Sequence, residues 1–429
     1  MKTGVWGRRA RGGATFLCLF LGVLPAPAHA GGRAESDSDK RLEIFSWWTA
    51  GGEAEGLEAM FHIYRTRFPS VTIINATVAG GAGSNAKAVL ATRMQGGNPP
   101  DSFQVHAGHE LIDSWVVAGK MEPITFIFRQ NGWLDSFPKG LIDIISYRGE
   151  IYSVPVNIHR SNVLWYNKSV FAASNLAPPR TLVDFLRVAE SLARRGVTPI
   201  ALGDSGIWAS VHLLESVLLG TMGPELYKGL WTGTTAWDGP EVRQSLETLT
   251  TLLRYVNTDH AALSWDAAVQ YVIDGKCAMT IMGDWAEGYF KAKGLTPNKE
   301  FGWVPSPGTE GSFIALSDSF GLPRGAPDRA AAVNWLTVAA SREGQDAFNP
   351  KKGSIPSRTD GDRSLYDEYQ RSAMDSYRSD TIVGSVTHGA AAAEGWLTLI
   401  QDCIAVFIAD LDVDKAVASL TRAAARFTS

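Results

Sequence analysis

Cysteine is scarce in this sequence, with three residues among 429: Cys18, Cys277 and Cys403. No CxxC pair and no Cys/His cluster occurs, which excludes a structural zinc site of the usual spacing. Neither a GxSxG nucleophile elbow nor an HExxH helix is present, so two common hydrolase chemistries have no motif to start from. Charge of one sign is also lacking. A formal net charge of −4 and a pI near 6.1 supply neither the basic face that nucleic acid needs nor an electrostatic hold on an anionic membrane. After residue 30 no apolar run approaches the ~20 residues that span a bilayer.

The one long apolar run lies at the start. Arg8, Arg9 and Arg11 precede "ATFLCLFLGVL", and "PAPAHA" then offers small residues at cleavage spacing. This is the pattern of a signal peptide over residues 1–30, cut after Ala30, and it predicts an exported, periplasmic protein. The Arg8-Arg9 pair leaves the route open between general secretion and twin-arginine export. Residues 31–40, "GGRAESDSDK", read as a flexible polar leader. Two cysteines then remain, Cys277 and Cys403. An oxidising compartment would let them pair, whereas their apolar surroundings suit two plain core residues, and both readings stand.

What remains is long enough for two cores, and its grammar is α/β. "RLEIFSWW" reads as a strand and "EAEGLEAMFHIYRTRF" as a helix, with Leu57, Met60, Phe61 and Tyr64 on one face. "SVTIINATV" is a second strand, "GGAGSN" a glycine-rich turn, "AKAVLATRMQGG" a helix and "PPDSFQVHAG" a third strand. Strand–helix alternation of this kind builds a parallel sheet covered by helices. It returns later: "IYSVPVNIHRSNVLWYN" is strand-like and interrupted at Pro155, "TLVDFLRVAESLARRG" is an amphipathic helix, and residues 208–260 are mostly helical. "EGSFIALSDSFGLP" reads as one strand running into a turn, and Trp265 and Trp396 read as helical core residues.

Tryptophan, by contrast, is plentiful, with fourteen residues. In open α/β sheets ligands bind beyond the carboxyl ends of strands, so the residues at strand exits carry the functional information. Trp47 and Trp48 follow the first strand, Gln104 and His106 the third, Trp285 follows "CAMTIMGD", and Asp318 follows "SFIAL". Flat indoles suit the C–H faces of a sugar ring, and carboxylates, amides and imidazoles suit its rim of hydroxyls. Because neighbours on a strand alternate faces, one of Trp47 and Trp48 could instead be core; Asp318 could be a helix N-cap. Asn157 and His159 are further candidates for the same cleft.

Several blocks, "LEIFSWW", "NATVAGGAGSNAKAVLATRM", "PPDSFQVHAGHELIDSWV", "IMGDW", "PSPGT", "LSDSFGLP", "NPKKGSI" and "VGSVTHGA", together with "GLIDIISYRGEIYSVPVNIHRSNVLWYN", resemble the extracellular solute-binding proteins of bacterial ABC sugar transporters (family 1), and among them the glucose/mannose-binding branch. The resemblance runs in order through nearly the whole chain after residue 40. It implies a two-lobed periplasmic-binding-protein fold of type II with discontinuous lobes, 41–157 plus 319–356 and 158–318 plus 357–429, joined by hinge strands near 155–160, 316–320 and 354–358. It implies a monomer that clamps a monosaccharide (glucose, or else mannose or galactose) and presents it to the permease of an ABC transporter, with no catalysis, cofactor or metal. The sugar site it implies is Trp47, Trp48, Glu53, Gln104, His106, Trp285, Asp318, Lys352 and His388, with Lys351 as the alternate to Lys352. Glu53 and Asp318 could also be offered as a glycosidase pair, the enzyme reading that competes with transport, and a sugar sensor without a transporter is the other alternative.

Overall fold

The computed structural model of the protein describes residues 40–427; the signal peptide expected over 1–30, and all but the last residue of the leader expected over 31–40, lie outside the described residues. Among the described residues no helix is long and apolar enough to cross a membrane.

The first strand, Arg41–Ser46, pairs in parallel with Thr72–Thr77 on one side and with Ser102–His106 on the other. The helices Gly51–Arg67 and Ser84–Gln95 follow the first two of these strands, and the face carrying Leu57, Met60, Phe61 and Tyr64 is buried as its 3.6-residue spacing requires. Asp318–Gly321 and then Ser153–Pro155 add antiparallel strands, giving a five-stranded mixed sheet. Pro155 ends the edge strand, where its missing N–H leaves no ladder bond unmade. One core, with Leu42, Ile44, Phe103, Val105, Phe320 and Trp335, belongs to this sheet.

A second sheet runs Phe301–Pro305, Val163–Asn167, Cys277–Ile281, Thr198–Ile200. Its two faces serve two cores. Leu164 packs with Phe185, Leu213 and Trp396, whereas Val163 and Trp165 pack with Trp285 and Phe290 on the opposite side. A smaller third sheet holds Thr381–Gly384, Ser312–Leu316 and His159–Arg160. This is a two-lobed α/β fold, one lobe built on the first sheet and the other on the second and third.

The chain passes between these sheets three times. It leaves the first sheet at Pro155 and enters the third at His159; it returns from Leu316 to Asp318; and Ile355 bridges to Ile158 on a third pass. The segment expected to be one strand and a turn, "EGSFIALSDSFGLP", is therefore two strands in two sheets. Ser317 sits at the break, its carbonyl accepting the N–H of Ala107 at 2.8 Å. The strand-like stretch 151–167 is likewise divided among four strands.

Cys277 and Cys403 are both free thiols. Cys277 is buried in the core that contains Trp165, and Cys403 packs against the core that contains Leu164 and Trp396.

Candidate functional site

The strand exits of the first sheet and the facing loops of the second lobe enclose a cavity of about 470 Å³. Eight of the nine residues expected to form the site line it: Trp47, Trp48, Glu53, His106, Trp285, Asp318, Lys352 and His388. His159 lines it as well.

The two adjacent indoles do different work. Trp48 is 1% exposed, packs against Phe348 and Phe320 at centroid distances of 4.8 and 5.6 Å, and shows the cavity little more than an edge. Trp47 stands beside His106 at 5.0 Å. Glycine lets the backbone close on these rings. A Cβ on Gly83 would lie 2.9 Å from the Trp47 indole, and one on Gly81 would lie 2.6 Å from that of Trp208. The turn "GGAGSN" is thus a wall of the cavity, shaped to receive two indoles. The first glycines of "TAGGE" serve another close approach, since a Cβ on Gly52 would lie 2.1 Å from the carbonyl oxygen of Lys351.

Asp318 is the electrostatic centre. It is a strand residue opposite His106 rather than a helix cap. Gln104 Nε2 donates to its Oδ1 at 2.9 Å, Asn157 Nδ2 donates to its Oδ2 at 2.8 Å, and its own N–H donates to Asn157 Oδ1 at 2.8 Å. His159 Nε2 is 3.2 Å from Oδ2, and His159 Nδ1 hydrogen-bonds Asp284 on its other side. Burial alone would raise the Asp318 carboxyl; the hydrogen bond and charge of His159, with Lys352 and His106, outweigh it and hold the group far below the usual carboxylate range. His159 is itself raised, because the neighbouring Asp284 overcomes the burial that would lower it. The cavity floor therefore carries a fixed anion.

Lys352 is the cation above it. Its Nζ donates to Glu53 Oε1 at 2.6 Å, and it lies 5.7 and 5.8 Å from the ring centroids of Trp48 and Trp285. Lys351, the alternate, is exposed. Glu53 is raised because burial outweighs the lysine. His106 Nδ1 is 2.6 Å from Glu110 Oε2, and Glu110 is held down to about 2, since Lys87 and His106 overcome its burial.

Gln104 does not reach the cavity. It shares a face with His106, but it lies two residue pairs further from the exit, opposite Phe320. Its amide is used behind the wall, accepting the N–H of Trp47 at 3.1 Å while donating to Asp318. Trp265, read as core, is both core and cavity wall, joined there by Asp266. Trp208, Ser205 and Gly206 also line the cavity and were missed. A signal for them existed: "ALGDSGIW" follows the strand Thr198–Ile200 and has the same glycine-then-indole form as "MGDW" after the strand Cys277–Ile281.

Behind His388 lie two further potential metal donors. His212, Glu215 and His388 each place one donor atom within 4.8 Å of the others, all buried. Both oxygens of Glu215 are already engaged, however, accepting from Ser161 Oγ, Ser385 Oγ and the N–H groups of Val386 and Thr387. In this arrangement the cluster is a hydrogen-bond network.

The model of the bacterial extracellular solute-binding protein family matches residues 51–346. The chain belongs to that family. An uncharacterized ABC transporter extracellular-binding protein of Pyrococcus horikoshii is 38% identical over 388 residues, covering 90% of this chain and 87% of its own. A probable sugar-binding periplasmic protein of Mesorhizobium japonicum is 32% identical over 91% of this chain and 94% of its own. Among solved structures, a bacterial solute receptor, AcbH, described as exclusively preferring β-D-galactopyranose, superposes with a TM-score of 0.80 over 90% of this chain and 98% of its own at 18% identity, a likeness of fold. This solute-binding protein thus has the family's α/β architecture, with its cavity where the two lobes face each other.

Proposed function

We propose that the protein is a periplasmic sugar receptor that captures a monosaccharide of the glucose, mannose or galactose type and delivers it to the permease of an ABC importer. One observation carries this reading: indoles and buried hydrogen-bonding groups from both lobes meet in a single cavity where strands end. Trp47, Trp208, Trp265 and Trp285 offer faces for a pyranose ring, Asp318 and Glu53 accept from hydroxyls, and Lys352 donates to them. The family membership and the sugar-binding name of the Mesorhizobium relative support the same class. The sugar binds one lobe, and contacts from both lobes then favour closure about the crossings near 155–160, 316–320 and 354–358. The reading needs no cofactor, metal or nucleic acid, and one copy of the chain suffices.

The glycosidase alternative finds less support. Glu53 is paired with Lys352, and the Asp318 carboxylate accepts from Gln104 and Asn157 with His159 Nε2 3.2 Å away, so neither is a free acid. Calorimetric titration of the chain from residue 31 with glucose, mannose, galactose and maltose tests the proposal. Binding of at least one hexose is expected, and Trp285→Ala weakens it. No binding tighter than about 1 mM, roughly 4 kcal/mol, for any of the four overturns it. Release of free glucose from maltose would favour the enzyme reading.

A further inference from the structure

The network behind the cavity determines which way His388 can hydrogen-bond. His388 lines the cavity, and its Nδ1 lies 2.9 Å from Ser385 Oγ. Ser385 Oγ lies 2.9 and 3.0 Å from the two oxygens of Glu215. An ionised carboxylate only accepts, so the single hydroxyl proton of Ser385 goes to Glu215, and the serine oxygen can only accept from His388. Ser161 repeats the pattern on the other side: its Oγ is 2.8 Å from Glu215 Oε1 and 3.2 Å from His212 Nδ1. Two further donors, the N–H groups of Val386 and Thr387, at 3.0 and 3.3 Å, aim at Glu215 Oε2 and stabilise the carboxylate without any cation.

We propose that Glu215, acting through Ser385, is a positioning residue that fixes His388 as the Nδ1–H tautomer, so that its Nε2 lone pair is offered to the cavity as an acceptor for a ligand hydroxyl. His388 is neutral in this setting: burial, with His106, His212 and Lys87 nearby, pulls it well below the usual histidine range. It therefore has one donor and one acceptor nitrogen, and the buried network selects which is which. Burial lifts Glu215 itself to about 7 against its hydrogen bonds, so the tautomer is defined above that pH.

The proposal makes an unusual demand of Glu215→Gln. The carbonyl oxygen of the amide must stay on the Val386 and Thr387 N–H groups, since NH₂ facing two donors would leave all of them unmatched. The NH₂ then faces Ser161 and Ser385. Ser385 accepts from it, turns its own proton toward His388 Nδ1, and moves the histidine proton to Nε2. A cavity acceptor becomes a donor.

The ligand role rests on the sugar-receptor reading, but the tautomer does not, and the experiment separates them. Long-range ¹H–¹⁵N spectra of the ¹⁵N-labelled, sugar-free chain from residue 31 at pH 8 are assigned for His388 by the peak lost in His388→Gln. Protonation at Nδ1 is expected in the parent protein, at Nε2 in Glu215→Gln, and a mixture in Ser385→Ala, which keeps the assay usable if the first variant does not fold. Protonation at Nε2 in the parent protein, or no change in either variant, overturns the proposal. In a parallel titration with glucose, Glu215→Gln weakens binding by roughly tenfold, the scale of one lost acceptor bond. If the parent protein binds no glucose while the tautomers behave as stated, the sugar reading falls and the positioning role survives. If glucose binds equally to both proteins and the tautomers do not change, the positioning role falls alone.

Discussion

Replacing Lys352 with methionine isolates the electrostatics of the cavity. The lysine is 2% exposed, and its partner Glu53 keeps 13% of its side chain accessible. Methionine fills most of the volume, so packing against Trp48 and Trp285 is largely kept. What is lost is, among the described residues, the only cation hydrogen-bonded to Glu53, 2.6 Å from its carboxylate. Breaking one side of a buried pair costs about 3–5 kcal/mol, and access of cavity water to Glu53 argues for the low end, about 3 kcal/mol. The cost depends on pH in a fixed direction. Glu53 already sits above its ordinary 4.5 with the lysine in place, because burial outweighs it, and the loss of Lys352 raises it further. The folded state then holds the proton more tightly than the unfolded chain. The destabilisation is therefore small where Glu53 is protonated in both states and grows as pH rises from about 4.5 through the folded value. Urea denaturation of the parent protein, Lys352→Met and Lys352→Met/Glu53→Gln at pH 5 and pH 8 measures it. The single variant loses about 3 kcal/mol at pH 8 and less at pH 5, and the double variant recovers most of the difference. A single variant as stable as its parent at pH 8, or a loss that does not change with pH, would refute the account of Glu53 as a carboxylate that depends on Lys352.

Trp48→Ala removes a wholly buried ring packed on Phe320 and Phe348, so its main effect is on stability, a loss of about 3–5 kcal/mol by denaturant titration. Gly81→Val drives side-chain atoms into the Trp208 indole 2.6 Å from the Cβ position, so it weakens glucose binding while costing the fold no more than about 1–3 kcal/mol. A thiol reagent titrates two cysteines in the denatured chain from residue 31 without prior reduction; in the native protein Cys403 reacts slowly and Cys277 not at all, because burial raises both thiols, Cys277 to about 12.

Much of the site was legible because its residues lie at strand exits, and strand exits are local. The apolar run ending at Ser46 places Trp47 at the sheet edge whatever the rest of the chain does, and the same holds for His106 and for Trp285 four residues beyond Ile281. Gln104 shows where this reasoning stops. Alternation puts it on the face of His106, but only the register against Phe320 shows that it lies two residue pairs too deep to reach the cavity. Trp265 begins a helix capped by Ser264, where an apolar residue ordinarily faces a core, and nothing local says that this end of the helix also borders a cleft.

Sequence alone determined the periodicities, and with them the α/β class, the parallel start of the first sheet and most of the indoles and charges that line the cavity. Hydrophobic spacing and glycine placement act over a few residues and need no distant partner. The division of "EGSFIALSDSFGLP" between two sheets was decided only in three dimensions, as were the ring of donors around Asp318 and the proton order from Glu215 to His388. Each of these depends on groups fifty to more than two hundred residues apart being brought within 4 Å, and no pattern along the chain records which distant donor will meet which acceptor.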